Sequence, residues 1–124
     1  MYLLDTNTVI DFFNSKLPQK GITLLSNTEP FISVVTRIEL FASTIITVQE
    51  KLLLEEFVQM ATIFDSINEE IVKQTILIRQ QNKVKLPDAI IAAIAIVHQL
   101  TLVTRNTSDF NNIHGLDVIN PWNL

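Results

Sequence analysis

Apolar residues along this chain fall into short runs of strand length and longer stretches with helical spacing. Tyr2-Leu3-Leu4 ends at Asp5-Thr6-Asn7, and apolar residues return at Val9, Ile10, Phe12 and Phe13. This predicts a buried strand and then a helix capped by Asp5 or Thr6. Phe31 to Val35 follows Pro30 and is rich in β-branched residues, as a second strand would be. A helix starting between Ser33 and Thr36 would carry Ile38, Phe41 and Ala42 on its apolar face. Gln49 to Met60 has helical spacing, Thr62-Ile63-Phe64 reads as a short strand, and Asn68 is placed to cap a helix reaching about Gln81.

After Pro87, a natural first-turn residue, Asp88 to Val97 is apolar on every side, which predicts a central helix buried by its neighbours. Thr101 to Thr104 is a strand, Arg105 to Asp109 a polar turn, and Asp117-Val118-Ile119 a final edge strand. Strands alternating with helices imply an α/β fold of three layers, α/β/α, with a central parallel sheet.

Composition narrows the class without changing that architecture. The chain has 124 residues, 48% hydrophobic and 18% charged, which suits one domain spanning 1–124 with a large interior. With two Gly, four Pro and no repeat, there is little room for linkers. The absence of cysteine excludes a disulfide framework and thiolate zinc sites. No apolar stretch reaches the ~18 residues of a membrane span, and no basic leader precedes the first strand, so a soluble, cytoplasmic protein without membrane contact is expected. The net charge of −4 is weak evidence against nucleic-acid binding, because clustered acids that hold cations would themselves lower the total.

The candidate chemistry lies in four acids. Ligands of open α/β sheets bind beyond the carboxyl ends of the strands. Asp5 follows the first strand, Glu39 sits early in the helix after the second, and Asn106 and Asp109 follow the strand at Thr101 to Thr104. Asp88 opens the buried helix and reaches the same edge if that helix runs antiparallel to the others. Carboxylates brought within a few ångströms repel, so at neutral pH they must protonate or bind a cation. An all-oxygen set without His or Cys favours Mg²⁺ or Mn²⁺. Such ions orient phosphate, activate water and stabilise a leaving oxygen, which is the chemistry of phosphodiester hydrolysis.

Each acid also has a purely structural reading. Asp5 can be an N-cap, and Thr36-x-x-Glu39 matches a capping box. Glu39 lies close to the predicted apolar face, where a carboxylate needs a partner. Asp88 suits the positive end of a helix dipole but is costly if buried alone. Asp109 lies in a stretch of turn residues and is the weakest of the four. Arg37 and Arg105 neighbour these positions and could meet phosphate, although solvated surface is the ordinary fate of a lone Arg. Lys83 and Lys85 read as a solvated loop before Asp88. His98 and His114 lack a spaced partner for metal binding.

The segments Leu3-Leu4-Asp5-Thr6-Asn7, Thr36-Arg37-Ile38-Glu39-Leu40, Leu86-Pro87-Asp88-Ala89 and Leu102 to Phe110 together resemble PIN domains, and more narrowly the VapC-type toxins of toxin–antitoxin pairs. The likeness spans nearly the whole chain in the right order. It implies a PIN-like fold and a Mg²⁺- or Mn²⁺-dependent endoribonuclease acting on tRNA or other structured RNA. It also implies a homodimer, and inhibition by a cognate antitoxin whose tail fills the acidic groove. On the resemblance, Asp5, Glu39 and Asp88 match the core acids and Asp109 the more variable fourth. Thr6, Asn7, Thr104 and Asn106 match the polar residues around the site. Asn120-Pro121-Trp122 resembles the end of the family pattern, where an aromatic packs against the domain.

Two other α/β classes fail at named residues. A response-regulator receiver needs an acidic pair after its first strand and a Lys after its fifth, and a haloacid-dehalogenase-type phosphatase needs Asp-x-Asp where this chain has Asp5-Thr6-Asn7. The remaining alternative is a catalytically silent PIN-like module that binds RNA or protein.

Overall fold

The computed structural model describes all residues from Met1 to Leu124. Its five short strands are β1 (Tyr2–Leu4), β2 (Phe31–Ser33), β3 (Thr62–Phe64), β4 (Thr101–Val103) and β5 (Val118–Ile119). They form one sheet in the order β3-β2-β1-β4-β5, parallel at every pairing. The chain builds outward from β1 to β3, then returns to the other side of β1 through β4. That reversal is a topological switch point, and it lies at the carboxyl ends of β1 and β4.

Period-two alternation along the central strands divides the interior in two. Leu3, Phe31 and Leu102 point to one side, where they meet helices α5 (Glu69–Gln81) and α6 (Leu86–Val97) through Ile71, Ile78 and Ile94. Leu4, Ile32 and Val103 point to the other, onto α1 (Thr6–Phe13), α2 (Gln19–Ser26) and α4 (Val48–Met60) through Val9, Leu25 and Leu54. The three-layer α/β/α reading therefore holds. α6 is buried along Ala89 and Ile91 to Ala95, as expected for a helix apolar on all sides. Its alanines let it lie close to the sheet, and no helix of the chain is long and apolar enough to cross a membrane.

Helix α3 (Val34–Ala42) departs from its expected face. Phe41 is partly buried, but Ile38 is 62% exposed and Ala42 is exposed too. The inward positions are Thr36 and Leu40, with Val35 partly buried on the α6 side of the sheet and Leu40 on the other. α3 thus straddles the end of the sheet, so a single apolar stripe is not what it needs. A polar Thr36 is tolerated at full burial because its hydroxyl lies within hydrogen-bond reach of Ser33 and Thr6. The expected second strand also stops short, at Ser33 rather than Val35. Ser33 is the N-cap, its Oγ accepting from the Thr36 N–H at 3.0 Å, so the Thr36–Glu39 capping box does not form.

Two helices had no counterpart in the sequence reading. The polar turn after β4 contains a short helix, α7 (Thr107–Phe110), pinned by buried Phe110. α2 presents buried Gly21 and Leu25 at four-residue spacing, in line with buried Leu17 just before it. A glycine in the middle of that stripe hid it from any apolar count. Glycine is required there: a Cβ on Gly21 would stand 2.5 Å from the Pro121 carbonyl oxygen, because the C-terminal segment closes over α2. Gly21→Ala is accordingly expected to destabilise the fold by about 1–3 kcal/mol through overpacking against backbone, despite alanine's better helix propensity. Chemical denaturation measures this, and an unchanged or raised midpoint would contradict the packing of the tail on α2.

Candidate active site

Asp5 is the first residue beyond β1, at the switch point. Its backbone N–H donates to the Val103 carbonyl at 3.2 Å, extending the β1–β4 pairing by one residue. Its Oδ1 accepts from the Thr8 N–H at 2.9 Å and caps α1, so the structural reading of Asp5 is correct. Capping leaves the second carboxylate oxygen over. Asp5 is only 6% exposed, and burial pushes its carboxyl above the ordinary value of 3.8. Hydrogen bonds with Thr104 and Thr8 oppose that rise, as does the Arg105 guanidinium.

Glu39 reaches the same place from α3, the helix that straddles the sheet end. It is exposed beside apolar residues of the groove described below, and the Thr6 hydroxyl donates to its Oε1 at 2.6 Å. The Thr6 oxygen also stands 3.3 Å from that of Thr36. A chain of hydroxyls thereby ties the start of α1 to the carboxylate of α3.

Asp88 lies in the first turn of α6 and is half-buried. Its carboxyl is raised first by burial, then by the negative charges of Glu39, Asp109 and Asp5, with Lys85 opposing. Three of the acids expected from the sequence therefore act on the fourth, Asp88, from three other elements. Asp109 is exposed on α7, as Glu39 is on α3, and its N–H is bonded to the Asn106 carbonyl at 3.1 Å.

Among the supporting residues, Thr104 is fully buried, bonded to Asp5 and accepting from the Asn106 N–H at 3.1 Å. Asn106 stands at the N-cap of α7 but makes no side-chain capping bond, leaving its amide free. Asn7 sits half-buried in the first turn of α1, beside Thr6.

The chemistry of this donor set fits a hard divalent cation, since every donor is oxygen and the crowded negative charge calls for one. The geometry seen is open, however. No three His, Asp or Glu side chains are grouped closely enough to ligate one ion together. A groove of about 300 Å³ begins at Glu39 and runs between Ile10, Phe13, Leu40, Leu53 and Leu54, with Glu50 on its wall. The other three acids lie outside it.

Asp11 was missed by sequence reasoning. Its side chain is only 5% exposed and is held by Arg105 and Trp122. The one available signal was an acid inside the apolar spacing of α1, between Ile10 and Phe12. Arg105 is correspondingly not a free surface cation. His98 carries no charge partner and stacks on Phe64, with ring centroids 4.2 Å apart.

Three comparisons bear on this site. The model of the PIN-domain family matches residues 2–116. A toxin–antitoxin complex from Klebsiella pneumoniae has a chain 31% identical to this one, covering 100% of both chains at a TM-score of 0.79. FitAcB from Neisseria gonorrhoeae is 27% identical over 100% of both chains at 0.74. DNA-bound VapBC from Salmonella typhimurium is 25% identical over 96% of each at 0.79. No curated protein matches the chain.

The raised carboxyls of Asp5 and Asp88 have a sign that can be checked. Both bind a proton more tightly folded than unfolded, so stability falls as pH rises from the ordinary Asp value through the raised ones. In EDTA, Asp88→Asn is expected to unfold at higher denaturant than the wild type at about pH 7, with the advantage shrinking as pH approaches the ordinary Asp value of 3.8. A variant less stable than wild type at neutral pH would mean that Asp88 is not held against its neighbours' charge.

Proposed function

The chain belongs to the PIN-domain family, and we propose that it is a Mg²⁺- or Mn²⁺-dependent endoribonuclease, the toxin of a toxin–antitoxin pair, acting on tRNA or other structured RNA. The observation that carries this reading is the burden on Asp88, raised first by burial and then by the charges of Glu39, Asp109 and Asp5 from three other elements at the sheet's switch point. A structural ion pair would have a cation in this position; this site instead gathers like charge beside one opposing Lys85.

In this reading Asp5, Glu39 and Asp88 hold the ion, with Asp109 as a fourth acid. The cation, when bound, neutralises the carboxylates and stabilises charge on the phosphate. The protein's own contribution is position. Asp5 is fixed by its cap to Thr8 and its bond with Thr104, so one carboxylate is rigid. Glu39 is oriented by Thr6, and its exposure leaves it free to turn toward an ion. Asn7 and the uncapped Asn106 amide stand nearby as uncharged hydrogen-bond partners for RNA.

The groove running from Glu39 suits an antitoxin segment with an apolar face and a cation that meets Glu39 or Glu50. The relatives solved as toxin–antitoxin complexes support such a partner. For the homodimer, the exposed Val72 and Ile76 on α5, beside Leu86, offer an apolar contact surface. The open spacing of the acids is the one observation that favours the silent binding module.

Wild-type protein freed of its partner is expected to cut total RNA in Mn²⁺ and to stop in EDTA. Asp5→Asn, which keeps a capping oxygen, should lose at least about a hundredfold in rate, more than outer-shell changes at metal sites produce. Gel analysis of total RNA decides the matter. Equal cutting by the two proteins would remove the metal site, and no cutting by either would favour the binding module.

A further inference from the structure

Beyond the acids, one polar assembly in this molecule has no purpose in the scheme so far. Asp11 lies on the second turn of α1, and the fold buries its carboxylate. Arg105 Nη1 stands 3.4 Å from its Oδ1 and 3.3 Å from its Oδ2, and the Trp122 indole N–H donates to Oδ2 at 3.2 Å. Burying a carboxylate is unfavourable unless its partners are well fixed. An apolar residue would fill this gap between α1 and the C-terminal segment without that cost.

The arrangement is asymmetric in exposure. Asp11 is buried, while the Arg105 side chain remains 46% exposed. Only Nη1 bonds to protein, so the other guanidinium donors face outward without a protein partner. The carboxylate therefore acts as an anchor behind a cation that still presents its hydrogen-bonding edge to solvent. Arg105 also directly follows Thr104, the residue bonded to Asp5, and its charge reaches Asp5. Six residues of helix separate Asp5 from Asp11, about 9 Å along the axis of α1. The anchored guanidinium thus stands beside the acids without joining them.

We propose that Arg105 binds a backbone phosphate of RNA next to the one being cut, and that Asp11 and Trp122 are positioning residues that act through it. The substrate class rests on the nuclease reading above. A guanidinium is suited to this task by its planar fork of donors, and an anchored one loses less freedom on binding than a solvated side chain. The acid cluster repels phosphate wherever cations do not cover it, so a fixed positive charge at its margin guides the strand into register. The tail is then part of the site: Pro121 closes on Gly21, and this contact sets the indole over Asp11.

The test uses a labelled single-stranded RNA oligonucleotide and the full-length Asp5→Asn protein, with affinity read by anisotropy across a salt series. Arg105→Gln is expected to weaken binding about tenfold and to flatten the slope of log K against log salt by about 0.7, the value for one lost phosphate contact on a single strand. Arg105→Lys should keep the slope while losing part of the affinity. Trp122→Phe, which keeps an aromatic ring but removes the donor, and Asp11→Asn should weaken binding a few-fold with the slope intact. Neither should add to the loss once Arg105 is Gln.

A structural clip would behave differently. It would lower thermal midpoints in Arg105→Gln, Trp122→Phe and Asp11→Asn but leave the salt slope of Arg105→Gln unchanged, and that result would overturn the proposal. So would an Asp11→Asn effect of equal size with or without Arg105. Wild-type cleavage of the same RNA in Mn²⁺ separates this inference from the one beneath it. Cleavage with an unchanged slope in Arg105→Gln sinks the role of Arg105 alone. Binding that depends on Arg105 without cleavage sinks the nuclease and leaves Arg105 a phosphate ligand, and no binding at all removes both.

Discussion

A carboxylate held almost out of water at the carboxyl end of the central strand governs much of this molecule. Asp5 cannot move: its backbone continues the pairing of β1 with β4, and its Oδ1 starts α1. Nor can it be comfortably charged, because burial opposes ionisation and only hydrogen bonds and a nearby guanidinium resist. The elements around it relieve that strain or add to it. Thr8 and Thr104 give it hydrogen bonds, while its own charge joins those of Glu39 and Asp109 in raising Asp88.

Those acids can be brought close only because the scaffold carrying them is strongly apolar. α6 is buried along most of its length, yet its first turn is more exposed and carries Asp88. α3 lies across the end of the sheet instead of flat on one face, and this brings Glu39 within 2.6 Å of Thr6. The two clusters of leucine, isoleucine, valine and alanine on either side of the sheet stabilise a fold whose polar end is unfavourable until something positive arrives.

The second buried carboxylate contrasts with the first. Asp5 is held up by burial, whereas Asp11 is matched by an arginine and an indole N–H. Both sit on the same short helix, less than two turns apart. One end of α1 is thus electrostatically unsatisfied and the other satisfied. The line between them separates the part of the protein that would receive a cation from the part that anchors a guanidinium.

Taken alone, the sequence determined the alternation of elements, the burial of α6, the caps at Asp5 and Asn68, and the four acids themselves. These are local matters: strand and helix periods, cap chemistry and motif order are written in neighbouring residues. The tertiary structure decided whatever depends on what lies opposite. Ile38 faces solvent because α3 straddles the sheet, and no helical count could foresee that. α2 escaped notice because its core position is a glycine made necessary by Pro121, a hundred residues away. Asp11 passed unnoticed among the apolar residues of α1, because its partners Arg105 and Trp122 lie about a hundred residues away. Spacing along the chain records which face a residue takes, but only the packed fold sets what meets that face.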